Sequence, residues 1–406
     1  MEKKPGALEG VKILDFTQYV AGPFATQMMA DLGAEVIKVE RPDRLIGPAP
    51  YVPYLDQSRP HHNPAGERIH DMCFNRGKKL ITINMKDERQ KAFAWELAKR
   101  ADIIIENYFP GTMKKMGMDY EKVKEVNPEV IYCSISGFGQ EGPYAARGAF
   151  DLIIQGMSGM MSVTGEKDGS PMNAGTDAAD IATSLHAVIA ILAALQYRNR
   201  TGKGQYIDIA MLDSMIPFLE NLLSEYMFTG ICPQRQGVRN GHNMPVGIYP
   251  ASDKMITISA ARDPAFIKLC NAIGHPEIAE DPRFCNGNVR YENDTALIET
   301  LSNIFRGKTA QEWVEILNAA GLPCGPVNDV SDLATDPQVA ARRMLVQVDN
   351  PNVGPFWQIG SPFKMSETPG SADAYTKELG ESNHEVFCDI MGHTEEEYRE
   401  FFGIKA

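Results

Sequence analysis

The stretch LEGVKILDFTQYVAGPFATQMMADLGAEVIKVERP, residues 8–42, decides the fold. VKILDF (11–16) and VIKVE (36–40) are short runs rich in β-branched residues, each reading as a buried strand, and 22–32 between them carries a helical pattern. Strand, helix and strand in that order predict a parallel pair joined by a crossover. The alternation continues with strand-like ITINM (81–85), DIIIEN (102–107) and VIYCSIS (130–136), and with helical patterns at 87–100 and 119–127. The expectation is an α/β chain whose large domain is Rossmann-like, a parallel sheet wrapped by helices.

At 406 residues the chain is too long for one ordinary core. Its texture changes near residue 225. GIYPASDKMITIS (247–259) reads as a hairpin around Ser252-Asp253, and helical stretches follow at 263–273, 294–305 and 309–320. This predicts a large domain over 1–225 and a smaller α+β domain over 226–325, with extended linkers on either side.

Bulk composition narrows the function. With 43% hydrophobic and 23% charged residues the chain reads as soluble and globular. Apolar 181–195 is broken by Thr183, Ser184 and His186, short of the roughly 20 residues that cross a bilayer. MEKKPGALEG has lysines without an apolar run behind them, so it does not read as a secretion signal. Seven cysteines lie scattered without a CxxC pair, which points to reduced thiols and the cytoplasm. A net charge of −13 argues against nonspecific nucleic-acid binding. A polyanionic ligand would need a local basic pocket.

Three candidate sites remain. SGFGQEGP (136–143) is no GxGxxG opening a helix, because Pro143 interrupts it; a structural turn is the better reading, and a nicotinamide cofactor is not expected. Neither the histidines nor the cysteines show metal-ligand spacing, His186 reads as a core histidine, and no metal is expected. Basic residues cluster more suggestively: Arg41 after VIKVE, NRGKK (75–79) before ITINMK, and MKKMG (113–117) after DIIIENY all flank predicted strands. Loops of an open α/β sheet meet a ligand crevice there, and arginine and lysine would suit phosphate.

The third candidate is NAGTDAADIATSLHAVIAILAAL (173–195), where a polar, glycine-containing approach turns into a long apolar helix at Asp177 and Asp180. Asp180 reads in two ways. It caps the helix, accepting hydrogen bonds from free backbone N–H groups as 181–199 begins. Or the helix dipole keeps an accessible carboxylate ionised, and it attacks an acyl group. Spacing alone leaves both open.

Residues 8–42 resemble the opening of the class III CoA-transferases (the CaiB/BaiF-like family of formyl-CoA transferase and crotonobetainyl-CoA:carnitine CoA-transferase). The likeness continues through 101–120, 135–165, 181–215, 320–329 and 361–369. It implies a cytoplasmic, interlocked homodimer whose large domain is built from both chain ends, with 326–406 as linker and C-terminal return. The family nucleophile falls on Asp180. CoA contacts fall on Val20, Ala21, Arg41, the strand end Ile83 to Lys86, Asn107, Tyr108, Phe109 and Lys115. The resemblance implies an acyl-CoA donor, a carboxylate acceptor and no tightly bound cofactor, and it gives the three basic loops one purpose, the phosphates and adenine of CoA. Formyl-CoA transferase covers its site with a tetraglycine loop. Here GVRNGHNMP (237–245) has only Gly237 and Gly241, which argues against formyl-CoA.

Two rivals share this scaffold. α-Methylacyl-CoA racemases are similar, but place a histidine before the aspartate of Ala149-Phe150-Asp151; Phe150 cannot act as a base. A non-catalytic acyl-CoA binder is the other, and the presence of Asp180 counts against it. Proline- and aromatic-rich 45–70 is where acyl selection is expected.

Overall fold

The computed structural model describes residues 5–43, 69–239, 243–351 and 354–404. It divides into two compact units, one of 1–160, 174–220 and 337–406, the other of 161–173 and 221–336.

The first unit is built on six parallel strands: β1 Lys12–Asp15, β2 Glu35–Glu40, β3 Lys79–Thr82, β4 Ile103–Glu106, β5 Ile131–Ser136 and β6 Gln205–Ala210. Their order is β3-β2-β1-β4-β5-β6, so the chain starts in mid-sheet, winds outward, then reverses past β1. Register explains why the central strands are rich in apolar residues. Ile13 lies opposite Val36 and Ile103 and packs with them under the helices Ala21–Asp31 and Ala178–Thr201. Leu14, opposite Ile37 and Ile104, packs on the other face against helix Glu88–Arg100 and the C-terminal segment around Val386. Both faces are covered, so polar alternation would bury unpaired groups.

Two elements depart from the sequence reading. β6 was not anticipated: it is a sheet edge with alternating burial and Asp208 in its middle, which hides its apolar pattern. β3 begins two residues before ITINM, and Ile83 N–H still bonds the Glu40 carbonyl at 2.8 Å. The C-terminal segment seals β3's free side: Ser382 N–H bonds the Leu80 carbonyl (3.1 Å), and Asn383 exchanges two hydrogen bonds with Thr82 (2.8 and 2.9 Å).

Helix Ala178–Thr201 corrects another expectation. Its 24 residues are long and apolar enough to cross a bilayer by length and composition, because Thr183 and Ser184 do not interrupt it. Thr183 Oγ1 donates to the Ala179 carbonyl, which satisfies that hydroxyl within the helix, and Ser184 Oγ lies 2.8 Å from the Asp180 carbonyl. The helix joins β5 to β6, and Ala187, Ile191 and Ala194 are buried in the core. It is a crossover helix of the sheet.

The second unit has its own core. Its antiparallel sheet is β7 Val246–Pro250, β8 Met255–Ser259 and β9 Cys324–Pro326, with the expected hairpin closed by Ala251 N–H on the Lys254 carbonyl. The expected helices appear as Asp263–Ala272, Asp294–Phe305 and Ala310–Ala319, the last with a capping box from Thr309 and Glu312. Segment 161–173 carries no texture change to mark it, yet belongs to this unit: the Arg235 guanidinium bonds the carbonyls of Ser162, Glu166 and Gly169.

Candidate active site

A sheet that reverses direction at β1/β4 leaves a crevice beyond the carboxyl ends of those strands. The connection leaving β1 is tied to the one leaving β4. Gln18 N–H donates to Asn107 Oδ1, and Asn107 Nδ2 donates back to the Gln18 carbonyl, both at 2.7 Å. The next residue, Tyr19, has φ 64°, a left-handed backbone that a bulky side chain rarely adopts. The turn hands the chain into helix Ala21–Asp31. Gly22 is required there, since a Cβ would meet the Thr17 side chain at 2.3 Å.

A buried charge cluster holds this turn from below. Asp15 accepts from Thr17 N–H (2.7 Å) and Thr26 Oγ1 (2.5 Å). Lys38 Nζ donates to the Thr17 carbonyl and pairs with Glu40 at 3.4 Å. Lys78 Nζ reaches Asp15 (3.3 Å), the Pro23 carbonyl (2.9 Å) and Asn75 Oδ1 (3.0 Å), and burial pushes its pKa down to about 7 against the pull of Asp15. Arg76 forks onto both oxygens of Asp31, at 2.9 and 2.6 Å. This overturns one expectation. NRGKK is not a phosphate loop, because Arg76 and Lys78 are buried and paired, and Lys79 is held by Glu385 and Glu35. Buried charges need partners, and sequence spacing does not reveal which side of the chain they face.

Asp180 lies in the first turn of helix Ala178–Thr201, half-buried. It does not cap that helix. The N-cap residue is Asp177, which makes no side-chain capping bond. The capping acceptor comes from elsewhere: Asp151 Oδ1 takes the Ala179 N–H at 2.7 Å, while its Oδ2 takes Gln155 Nε2 at 2.5 Å. Asp180 Oδ1 instead accepts the N–H of Ala21, the first residue of the other helix, at 3.2 Å. Ser184 Oγ completes the clamp with a 2.6 Å bond to the Ala21 carbonyl. One carboxylate therefore sits at the positive ends of two helices. Opposing this, burial, then the charges of Asp151 and Asp177, raise its pKa to about 7. Among the described residues no lysine or arginine pairs with any of these three acids. Sequence reasoning missed Asp151 and Ala21 as the partners of this helix start, because both are remote in the chain.

The residues assigned to CoA gather at the carboxyl ends of β1 to β4. Val20 and Ala21 are buried and offer backbone groups only, as does buried Ile83. Arg41 is exposed beside Asp43, its Nε 3.3 Å from Oδ1. Lys86 and Lys115 are exposed, Lys115 on the short helix Thr112–Met116. Asn107 is committed to Gln18, Tyr108 is packed against the core, and Phe109 is exposed. Segment 45–70 lies almost wholly outside the described residues, as do 240–242 of the 237–245 loop. SGFGQEGP is a turn, with Gly139 and Gly142 at positive φ. His186 is half-buried with Nδ1 at 2.8 Å from the Ala182 carbonyl, less enclosed than a core residue. His384, Cys388 and Glu395 bring ligand-type atoms within 4.8 Å, but a His384–Glu395 hydrogen bond at the surface accounts for that grouping.

A doubly wound sheet with a half-buried acid at a helix start beside its reversal crevice is the architecture of an α/β enzyme. The chain belongs to CoA-transferase family III, whose family model matches residues 8–383, and it is a CoA-transferase. It is 38% identical over 377 residues to the acetyl-CoA:oxalate CoA-transferase of Acetobacter aceti, covering 91% of this chain and 93% of that one. It is 35% identical over 390 residues to a succinate–glutarate CoA-transferase of Agrobacterium fabrum, covering 96% and 97%. A solved CaiB/BaiF family protein from Brucella suis superposes with a TM-score of 0.83 at 36% identity, covering 96% of this chain and all of that one.

Proposed function

We propose that this enzyme moves CoA from an acyl-CoA to a free carboxylic acid with Asp180 as the nucleophile. The observation that carries the reading is that Asp180 leaves the capping of its own helix to Asp151 and is held by the Ala21 N–H instead. A residue needed only to start a helix would spend its oxygens there.

The chemistry runs through two kinds of intermediate. An Asp180 oxygen attacks the thioester carbonyl, the C–S bond breaks, and CoA leaves as thiolate from an acyl-aspartyl anhydride. The thiolate attacks the aspartyl carbonyl, expels the donor carboxylate and leaves an aspartyl-CoA thioester. The acceptor carboxylate displaces the thiolate, forming a second anhydride. Thiolate then attacks its acyl carbonyl, releasing the new acyl-CoA and free Asp180. One thioester is made for each one broken, so no ATP is consumed. In the first turn of helix Ala21–Asp31 the Ala21 N–H goes to Asp180, Pro23 has none and the Phe24 N–H goes to the Val20 carbonyl, so the Gly22 N–H is the donor left for a developing oxyanion. Arg41, Lys86 and Lys115 would meet CoA phosphates, while backbone at Val20, Ala21, Ile83 and 107–109 would line the cofactor's path.

Association into an interlocked homodimer fits the surface of each unit. On helix Ala178–Thr201, Ile189 is 63% exposed despite its apolar side chain, and in the second unit Phe228 is 93% exposed. Free cysteines fit a reducing cytoplasm.

Trapping tests the nucleophile. Enzyme incubated with acetyl-CoA and then hydroxylamine should carry a hydroxamate on the peptide containing Asp180. A hydroxamate on any other residue would remove the mechanism. New thioesters from a panel of carboxylates would separate this reading from a racemase, which instead exchanges an α-proton with solvent.

A further inference from the structure

We propose that Tyr19 and Phe150 form an aromatic wall beside Asp180 that selects acyl groups whose first carbons are alkyl or aryl. The same wall disfavours oxalyl-type groups, which carry a second carboxylate next to the reacting carbonyl. The inference rests on Asp180 being the nucleophile and names the class of acid it serves.

The two rings meet edge to face, with centroids 5.9 Å apart and an interplanar angle of 89°. They come from the two connections that hold Asp180. Tyr19 stands two residues before Ala21, whose N–H binds the Asp180 carboxylate. Phe150 immediately precedes Asp151, which caps the Asp180 helix. Neither ring is in the core: Tyr19 is 60% and Phe150 66% exposed. Tyr19 also holds its left-handed backbone where glycine or asparagine would be strain-free, so the strain is retained together with the ring's position.

The charges around the wall point the same way. Asp151 and Asp177 both act on Asp180 as like charges, and no described cation pairs with them. A second carboxylate one bond from the thioester carbonyl would enter an acidic ring without a counter-ion. Alkyl or aryl carbons there would cover two wet aromatic faces and take apolar area out of water.

The experiment measures kcat/KM for butyrate, phenylacetate and oxalate as acceptors from acetyl-CoA, in wild type, Phe150→Ala and Tyr19→Asn. Asparagine suits the left-handed backbone, so that variant removes the ring without new strain. Wild type should favour butyrate and phenylacetate over oxalate by about tenfold or more, and each variant should cut that ratio by about tenfold. Reading the ratio within each variant cancels any loss common to all acids. A wild-type preference for oxalate, or an unchanged ratio in either variant, would overturn the proposal. If no acid accepts CoA and Asp180 yields no hydroxamate, the transferase mechanism itself fails, and the selection falls with it.

Discussion

Replacing Asp180 by asparagine separates a nucleophile from a helix cap by stability as well as by rate. The carboxyl titrates near 7 against an ordinary 3.8, through burial first and then Asp151 and Asp177. At about 1.4 kcal/mol per pH unit, ionising it in the folded protein costs at most about 4 kcal/mol more than in the unfolded chain. Asp180 keeps partial contact with water, which brings the expected figure to about 1–2 kcal/mol. A raised acid pKa leaves stability untouched at low pH and removes it as pH rises from the unfolded value through about 7. Asparagine never ionises, yet its oxygen still accepts the Ala21 N–H. Asp180→Asn should therefore match wild type in thermal unfolding at pH 4 and melt higher at pH 8. CoA transfer should fall by at least about 1,000-fold, since an amide cannot form the anhydride. If Asp180 only capped the helix, asparagine would serve equally, with unchanged melting at both pH values and unchanged turnover. Retained turnover, or a melting difference independent of pH, would refute the reasoning.

Other perturbations act on named contacts. Asp151→Asn keeps an oxygen for the Ala179 N–H but removes a like charge, so the acid limb of the kcat profile should move to lower pH; a profile that stays put would contradict the coupling. Arg41→Ala and Lys115→Ala should each raise KM for acyl-CoA several-fold with kcat changing much less, as loss of a phosphate contact requires; unchanged KM for several acyl-CoAs would remove these contacts. The proposed interlocked homodimer cannot part without unfolding, so light scattering should show no folded monomer at nanomolar concentration.

The fold was legible wherever both faces of a strand are buried. β1 and β4 announce themselves by apolar runs, and β2 and β5 by apolar-rich runs interrupted only by Lys38 and Ser134, because register sends alternate residues into two different cores. β6 hides because only one of its faces is enclosed, so QYIDIA reads as ambiguous. The site was legible in part. Asp180 stands out at a change from polar to apolar sequence, but its hydrogen-bond partner Ala21 lies 159 residues away, and the Asp151 that caps its helix lies 28 residues before the Ala179 N–H it takes. Pairing over such distances leaves no local signature. The NRGKK error has the same origin: lysine and arginine look alike in sequence whether they meet solvent or Asp15 and Asp31.

The proposed chemistry makes a demand that explains why Asp180 experiences opposed influences. In the first step its oxygen must attack, and a basic carboxylate attacks better; burial and the neighbouring acids raise its basicity. In the last step the Asp180 carboxylate must leave from an anhydride, and a stabilised carboxylate leaves better. The Ala21 N–H and the two helix starts supply that stabilisation without moving. A carboxylate fully paired with a lysine or arginine would leave readily but attack poorly. One buried without donors would stay protonated and do neither. A pKa near 7, set by burial and the neighbouring acids against the Ala21 N–H, keeps both directions open at neutral pH.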